Sequence, residues 1–381
     1  MGNCGPSGAC GLSRGGELNA SCGAVLHCAE TIKGGIATYL RELIPLQRDE
    51  FGPNKVFVVI PESQRMELPV PNGVTVVTYA DGGGRAANAM RLALRSLAVA
   101  RRERVAVVHV HSTFAGALVR PLLALAYRSA RVVYCAHGWA WDRPLSGKAR
   151  AAVVAVERLL SLLSDMIVCI SEHERVTAID NGISPSRLVV VRNGVSQQRP
   201  VPLGDAPHWP EGRLRVLFVG RFDRQKGVDL LFDALRVLGD KVHAVVAGAA
   251  VLADGTVLAM PDNVTTIGWV SPGELETLFA SAQVLVVPSR WEGFGLIAAE
   301  AMRAGLAVVA ARVGGLPEVV ADGVTGMVID PGSTDALVAA LAQLSAERAR
   351  EMGDAGKARF LEHFTMERVH RELREVYGFS T

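Results

Sequence analysis

The chain is 381 residues long, 49% hydrophobic and 20% charged, with a formal net charge of +2. Such a chain holds core enough for two domains of roughly 150 residues each, and its balance is that of an ordinary soluble globular protein. It contains no uninterrupted apolar run of about 18 residues, so nothing in it is expected to span a bilayer.

The charge is unevenly placed. Residues 1–200 carry 23 Lys and Arg against 15 Asp and Glu, whereas residues 201–381 carry 17 against 23. That asymmetry points to an N-terminal half that meets something anionic; the plain alternative is a solvated surface. Residues 1–22 lack the apolar segment of a secretory signal and are expected to form a flexible tail. Pro6 sits where myristoylation prefers Ser or Thr. Cys4, Cys10, Cys22 and Cys28 follow a C-x5-C-x11-C-x5-C spacing without the close pair of a zinc knuckle, and Cys28, Cys135 and Cys169 end apolar runs as small core residues. No metal is expected, and a reduced, cytoplasmic setting is the default.

Short β-branched runs alternate with helical patterns from there on. Strands are expected at Val25–Cys28, Lys55–Ile60, Val74–Tyr79, Val105–Val110, Arg131–Ala136, Met166–Ile170 and Leu188–Arg192. A second set is expected at Arg215–Gly220, His243–Gly248, Val264–Gly268, Val284–Val287, Ala307–Ala310 and Met327–Ile329. Continuous Val, Ile and Leu runs separated by helices imply parallel strands covered on both faces, a doubly wound α/β pattern that occurs twice. The Pro-rich, polar segment between them places a linker at 201–212. The expected domains are 23–200 and 213–363, with residues 364–381 forming a helix that returns toward the N-terminal domain.

In such sheets ligands bind beyond the carboxyl ends of the strands. After the first strand, Gly34 and Gly35 precede a helix, where free amides and the helix dipole favour an anion; a plain tight turn is the alternative. The spacing is not the GxGxxG of a dinucleotide site. Arg85–Arg104 reads as a helix with Arg91, Arg95 and Arg102 on one side and Met90, Leu94 and Leu97 on another, suited either to an anionic membrane or to packing on the sheet. "HGWAWDR" follows the fifth strand and puts His137 beside Trp139 and Trp141, aromatic rings that could stack on a sugar. In the second half, Arg221 and Lys226 flank a helix start, one planar fork and one point charge for a diphosphate. Lastly, "EGFGLIAAE" places Glu292 before a helix and Glu300 one turn inside it, with the amides of Phe294, Gly295 and Leu296 between them.

"EGFGLIAAE" resembles the E-x7-E motif of the retaining GT-B glycosyltransferases of family 4, the glycosyl transferases group 1. "VGRFDRQKGVDLL" (Val219–Leu231), "RNGV" (Arg192–Val195), "GWVSPGELETLFASAQVLVVPSRWEGFG" and "VGGLPEVV" (Val313–Val320) fit the same family, over roughly Val25 to Tyr377. The resemblance implies two Rossmann-like domains facing a central cleft, a nucleotide-sugar donor held by the second, and a sugar or lipid-linked sugar acceptor held by the first. It puts Arg221 and Lys226 on the diphosphate, Glu300 on the ribose, Glu292 with Phe294–Leu296 on the transferred sugar, Gly34 and Gly35 over the phosphates, and His137 near the reaction centre. Asn193 and Glu172 match cleft-lining positions, and Trp139, Trp141 and Glu172 are acceptor-side candidates. Two departures concern base binding: "GAAVLADG" (Gly248–Gly255) replaces a Gly-Asp-Gly-Pro-like loop, and Arg312 replaces a small acidic or hydroxyl residue.

No Asp-x-Asp pair is present, so a metal clamp has no evident ligands, and cations with helix-start amides are expected to stabilise the leaving group. The resemblance further implies retention of configuration, in bacterial surface polysaccharide or glycolipid assembly at the inner face of the plasma membrane, with no nucleic acid involved. A nucleotide-sugar epimerase, a phosphorylase or a non-catalytic nucleotide-sugar-binding relative are the alternatives.

Overall fold

A computed structural model describes residues 23–249 and 259–379. The expected tail 1–22, with Cys4, Cys10 and Cys22, and residues 250–255 of the departing loop lie outside the described residues.

The first half forms seven strands: β1 (Val25–Ala29), β2 (Val56–Pro61), β3 (Val74–Tyr79), β4 (Val107–His111), β5 (Arg131–Cys135), β6 (Met166–Cys169) and β7 (Leu188–Val190). They lie parallel in the order β3-β2-β1-β4-β5-β6-β7. The second half forms β8 (Leu214–Val219), β9 (Val242–Ala247), β10 (Val264–Gly268), β11 (Val284–Val287), β12 (Ala307–Ala311) and β13 (Gly326–Ile329). They too are parallel, in the order β10-β9-β8-β11-β12-β13. Every residue of β1, β2, β4, β9 and β12 is buried, as continuous β-branched runs covered on both faces require. This is the GT-B architecture, two doubly wound Rossmann-like sheets.

Both strand orders reverse direction once, between β1 and β4 in one sheet and between β8 and β11 in the other. At a reversal the loops leaving neighbouring strands diverge to opposite faces and open a crevice. The four loops concerned begin after Ala29, His111, Val219 and Val287. Three of them carry the Gly34–Gly35, Arg221–Lys226 and Glu292–Gly295 segments.

The halves are not independent units. One continuous apolar cluster joins Val25, Leu40, Leu43 and Val133 to Leu285, Phe294, Ala298 and Leu373. The chain crosses between halves twice, and the crossings hydrogen-bond each other: Val195 N donates to Phe364 O at 2.9 Å and Met366 N to Val195 O at 2.9 Å. Beyond the second crossing, the helix Met366–Tyr377 turns a face of Val369, Leu373, Val376 and Tyr377 onto the helix Gly35–Phe51. Glu50 there takes His370 Nε2 and Arg374 Nη1, each at 2.6 Å.

The helix Arg85–Arg102 corrects one expectation. Its core side is Ala89, Leu92, Ala93, Ser96, Val99 and Ala100, small residues that let it lie close to the sheet. Met90 and Leu94 are exposed beside Arg91 and Arg95.

Leu373 is fully buried on the side of its helix that packs on Gly35–Phe51. Leu373→Ala is expected to cost about 2–5 kcal/mol, the range for a core Leu truncation. Urea unfolding checks this, and an unchanged midpoint would detach the last helix from the cooperative unit.

Candidate active site

The segment after β11 turns through Pro288–Gly293 and enters the helix Leu296–Ala304, capped by Gly295 in the left-handed region. Its path is fixed from behind by Gly314 and Gly315. A Cβ at Gly314 would collide with the Glu292 carbonyl, and Gly315 N donates to Gly293 O at 2.9 Å. Only residues without side chains let the two loops lie this close. Phe294 anchors the turn from within, 2% exposed and edge-on to Phe364 at 5.8 Å.

Lys226 and Glu292 are brought together. Lys226 Nζ lies 2.6 Å from Glu292 Oε2, with Ser289 Oγ donating to the same oxygen at 3.3 Å. Lys226 is set by Asp223, whose Oδ1 accepts from Lys226 N at 2.9 Å, and by Gly227, which opens the next helix. Arg221 stands half-exposed at the end of β8, steered by Asp223 at 3.0 Å and Gln225 at 2.9 Å. Glu300 is part-buried within its helix, and desolvation pushes its carboxyl up to about 7; the Glu42 carboxylate adds to the rise and Arg303 opposes it.

Across the cleft two N-terminal loops reach this segment. A Cβ built on Gly293 would lie 3.5 Å from Gly138 Cα, and one on Gly35 would lie 3.5 Å from Leu296 Cδ1. Gly34 and Gly35 therefore face the start of the Glu300 helix, and the His137–Gly138 turn faces Glu292–Gly293. His137 adopts φ +54°, a left-handed conformation costly for a residue with a side chain and typical of constrained functional positions. Its Nε2 is 2.8 Å from His111 Nδ1.

The tryptophans do not take the expected place. Trp139 and Trp141 are 1% and 3% exposed and stack on each other with centroids 4.3 Å apart. Trp139 Nε1 donates to Glu174 O at 3.0 Å. Apolar ring area is better spent closing the core beneath the loop, so neither ring offers a face to an acceptor. Asn193 is buried at the first crossing, its Oδ1 without a hydrogen-bond partner among the described residues. The Glu172 carboxylate is held by Arg175 Nε at 2.8 Å, which keeps it below the usual carboxylate range.

Several residues were missed from sequence. Glu318 reaches from the second half to the helix Glu172–Asp180 and accepts from the amides of Glu172 and His173, both at 2.9 Å, and from Arg192 Nε at 3.0 Å. A carboxylate on a helix N-terminus clasps the halves together beside the cleft. His27, His109 and His111 line up under His137. One nitrogen from each lies within 4.8 Å of the others, a spacing a metal could use. Two of those rings are already joined, His27 Nδ1 to His111 Nε2 at 3.0 Å. His109 and His111 have ring centroids 4.1 Å apart with their planes tilted by 35°.

A family model described as Glycosyl transferases group 1 matches residues 205–359, and one described as Glycosyltransferase Family 4 matches residues 33–199. An uncharacterized 41.2 kDa protein in the cps region of Klebsiella pneumoniae is 33% identical, over 80% of this chain and 86% of its own. Alpha-maltose-1-phosphate synthase of Mycolicibacterium smegmatis is 31% identical, over 81% of this chain and 89% of its own. Among solved structures, Anabaena HepE in complex with UDP and glucose superposes with a TM-score of 0.74 at 19% identity, covering 93% of this chain and 99% of that one. With relatives of this identity along most of its length, two family models side by side and a GT-B fold, the chain belongs to the group 1, family 4 glycosyltransferases.

Proposed function

We propose that this glycosyltransferase moves a sugar from a nucleotide-sugar donor to a sugar or lipid-linked sugar acceptor, with retention of configuration and without a metal ion. The observation that carries the reading is the Lys226–Glu292 pair at 2.6 Å, at the entrance of a helix that holds Glu300 one turn further in. A carboxylate for the sugar, a cation for the diphosphate and a carboxylate for the ribose are then supplied around one helix start. The complex of HepE with UDP and glucose supports such a donor.

In this reading Arg221, Lys226 and the amides of Phe294, Gly295 and Leu296 receive the negative charge that builds on the departing diphosphate. The anomeric carbon–oxygen bond breaks with both electrons going to phosphate. The acceptor oxygen bonds to that carbon on the same face, and its proton passes to the departing phosphate oxygen. His137 faces the sugar, Gly34 and Gly35 close over the phosphates, and Asn193 and Glu172 border the cleft.

The setting we propose is polysaccharide or glycolipid assembly at the inner face of the plasma membrane. The relative in a cps region supports it. Among the described residues no helix is long and apolar enough to cross a membrane. A peripheral site is available instead. The connections β3 to β4 and β5 to β6 run the same way along the sheet, so their helices lie on one face. That face exposes Met90 and Leu94 on Arg85–Arg102, and Val156 and Leu159 on Gly147–Ser161, beside Arg91, Arg95, Lys148, Arg150 and Arg158.

Three outcomes are expected. Turnover should continue in excess EDTA, while Lys226→Ala weakens nucleoside diphosphate binding by about 2–3 kcal/mol, the scale of a charge-assisted contact. Loss of turnover that added divalent metal restores, or calorimetry showing unchanged affinity in the folded variant, would contradict the cation clamp. Glu300 accepts ribose hydroxyls most strongly when ionised, and burial pushes its carboxyl up to about 7. Donor affinity should therefore fall by up to about tenfold per pH unit below that value. Glu300→Gln should bind equally weakly on both sides of it, and a wild-type profile parallel to that of the variant would remove Glu300 from the ribose. On vesicles, each exposed Lys or Arg contributes about 1 kcal/mol near an anionic surface. Co-sedimentation should require anionic lipid and fall with salt, and equal binding to neutral vesicles would refute the membrane face.

A further inference from the structure

We propose that His111, His27 and Gln47 are positioning residues that decide which ring nitrogen of His137 carries its proton, with the orientation of the Gln47 amide setting the choice. The inference rests on the reading that His137 faces the reacting sugar.

The contacts form one line. His137 Nε2 lies 2.8 Å from His111 Nδ1, His111 Nε2 lies 3.0 Å from His27 Nδ1, and His27 Nε2 lies 2.7 Å from Gln47 Oε1. Gln47 Nε2 donates to the Tyr377 hydroxyl at 3.3 Å, and that hydroxyl lies 2.8 Å from His109 Nδ1. His27, His109, His111 and Gln47 are fully buried. Desolvation lowers His27 to about 4 and His137 to about 3, and holds His109 and His111 well below the ordinary histidine value. All four rings are therefore neutral at neutral pH, and what varies is the tautomer, not the charge.

A neutral imidazole has one N–H and one lone pair, so each contact in the line takes a single proton and the donor sense must run one way throughout. The Gln47 carbonyl can only accept. His27 therefore carries its proton on Nε2 and offers Nδ1 as a lone pair. His111 must then donate from Nε2, which leaves its Nδ1 to accept from His137 Nε2–H. The result at the end of the line is a His137 whose Nδ1 is a lone pair. That nitrogen has no hydrogen-bond partner among the described residues, and His137 is itself part-exposed. It presents the cleft with an acceptor for a sugar hydroxyl.

The opposite end of the line meets the returning helix. The Tyr377 hydroxyl accepts from Gln47 Nε2–H and lies against His109 Nδ1, while His109 Nε2 is a buried atom without a hydrogen-bond partner among the described residues. Turning the Gln47 amide over would reverse every bond in the line and put a proton on the cleft-side nitrogen of His137, changing that nitrogen from acceptor to donor. One amide, three rings away from the cleft, thus selects what the site shows to its substrate. No proton is carried along the line; it sets a pattern.

Ring nitrogen NMR on the isotopically labelled full chain tests this. In the wild type, His27, His111 and His137 should all report the Nε2–H tautomer; a His137 protonated on Nδ1 would overturn the proposal with no variant needed. Gln47→Met removes the acceptor while keeping length and burial. It should give His137 a mixed-tautomer spectrum and lower kcat/KM for the donor severalfold, as a weakened contact to a sugar hydroxyl would. A folded Gln47→Met protein with the wild-type His137 spectrum would overturn the proposal. Should His137→Ala keep full turnover while Gln47→Met still shifts the His137 spectrum, the relay stands, and it is the placement of His137 at the reacting sugar that fails.

Discussion

Everything near the cleft depends on the pair of strand segments by which the chain crosses between its halves. Val195 is held on both sides by Phe364 and Met366 through two backbone hydrogen bonds. Gly194 sits against the Phe364 and Thr365 carbonyls so closely that a Cβ there would collide with them. Two crossings bonded to each other make a narrow, directional tether, and the loops that meet over the cleft are placed by it. Glu318 on the helix start at Glu172 adds a second, softer tie at one side. It is a single carboxylate set on two part-buried amides.

The scaffold was legible in the sequence because burial on both faces leaves a parallel strand little choice of residue. All thirteen expected strands are present among the described residues, with ends shifted by one or two positions. The second-half segment was legible for a different reason. Glu300 sits among Ile297, Ala298, Ala299 and Ala301, and a carboxylate in such company needs a purpose. The contact of Lys226 with Glu292, 66 positions apart, could not be read from spacing, yet both residues stood at strand ends that converge once the sheet order is known.

Other features were hidden in physical terms. Trp139 and Trp141 look alike from sequence whether they stack on a sugar or on each other, because aromatic burial and aromatic exposure leave the same local pattern. His27, His109 and His111 broke otherwise apolar strand runs, in "VLHC" and "VVHVH". That signal was available, since a polar residue inside a doubly covered strand must find a partner. What it could not disclose is that the partners are one another, together with a tyrosine 268 positions beyond His109. Glu318 gave no signal, because a glutamate beside a Gly-Gly turn has no local reason to face another domain.

The returning helix also bears on how the protein is made. The first sheet is finished at Val190, but the face of the helix Gly35–Phe51 that receives Leu373 and Tyr377 stays uncovered until residues beyond Met366 have been synthesised. Roughly 170 residues separate the two points, about 10–30 seconds of elongation at ordinary rates. Through that interval the nascent first half carries an apolar surface with no partner of its own, together with a buried histidine row not yet sealed by Tyr377. In a growing chain of this design the helix Gly35–Phe51 stays open until the helix Met366–Tyr377 closes over it.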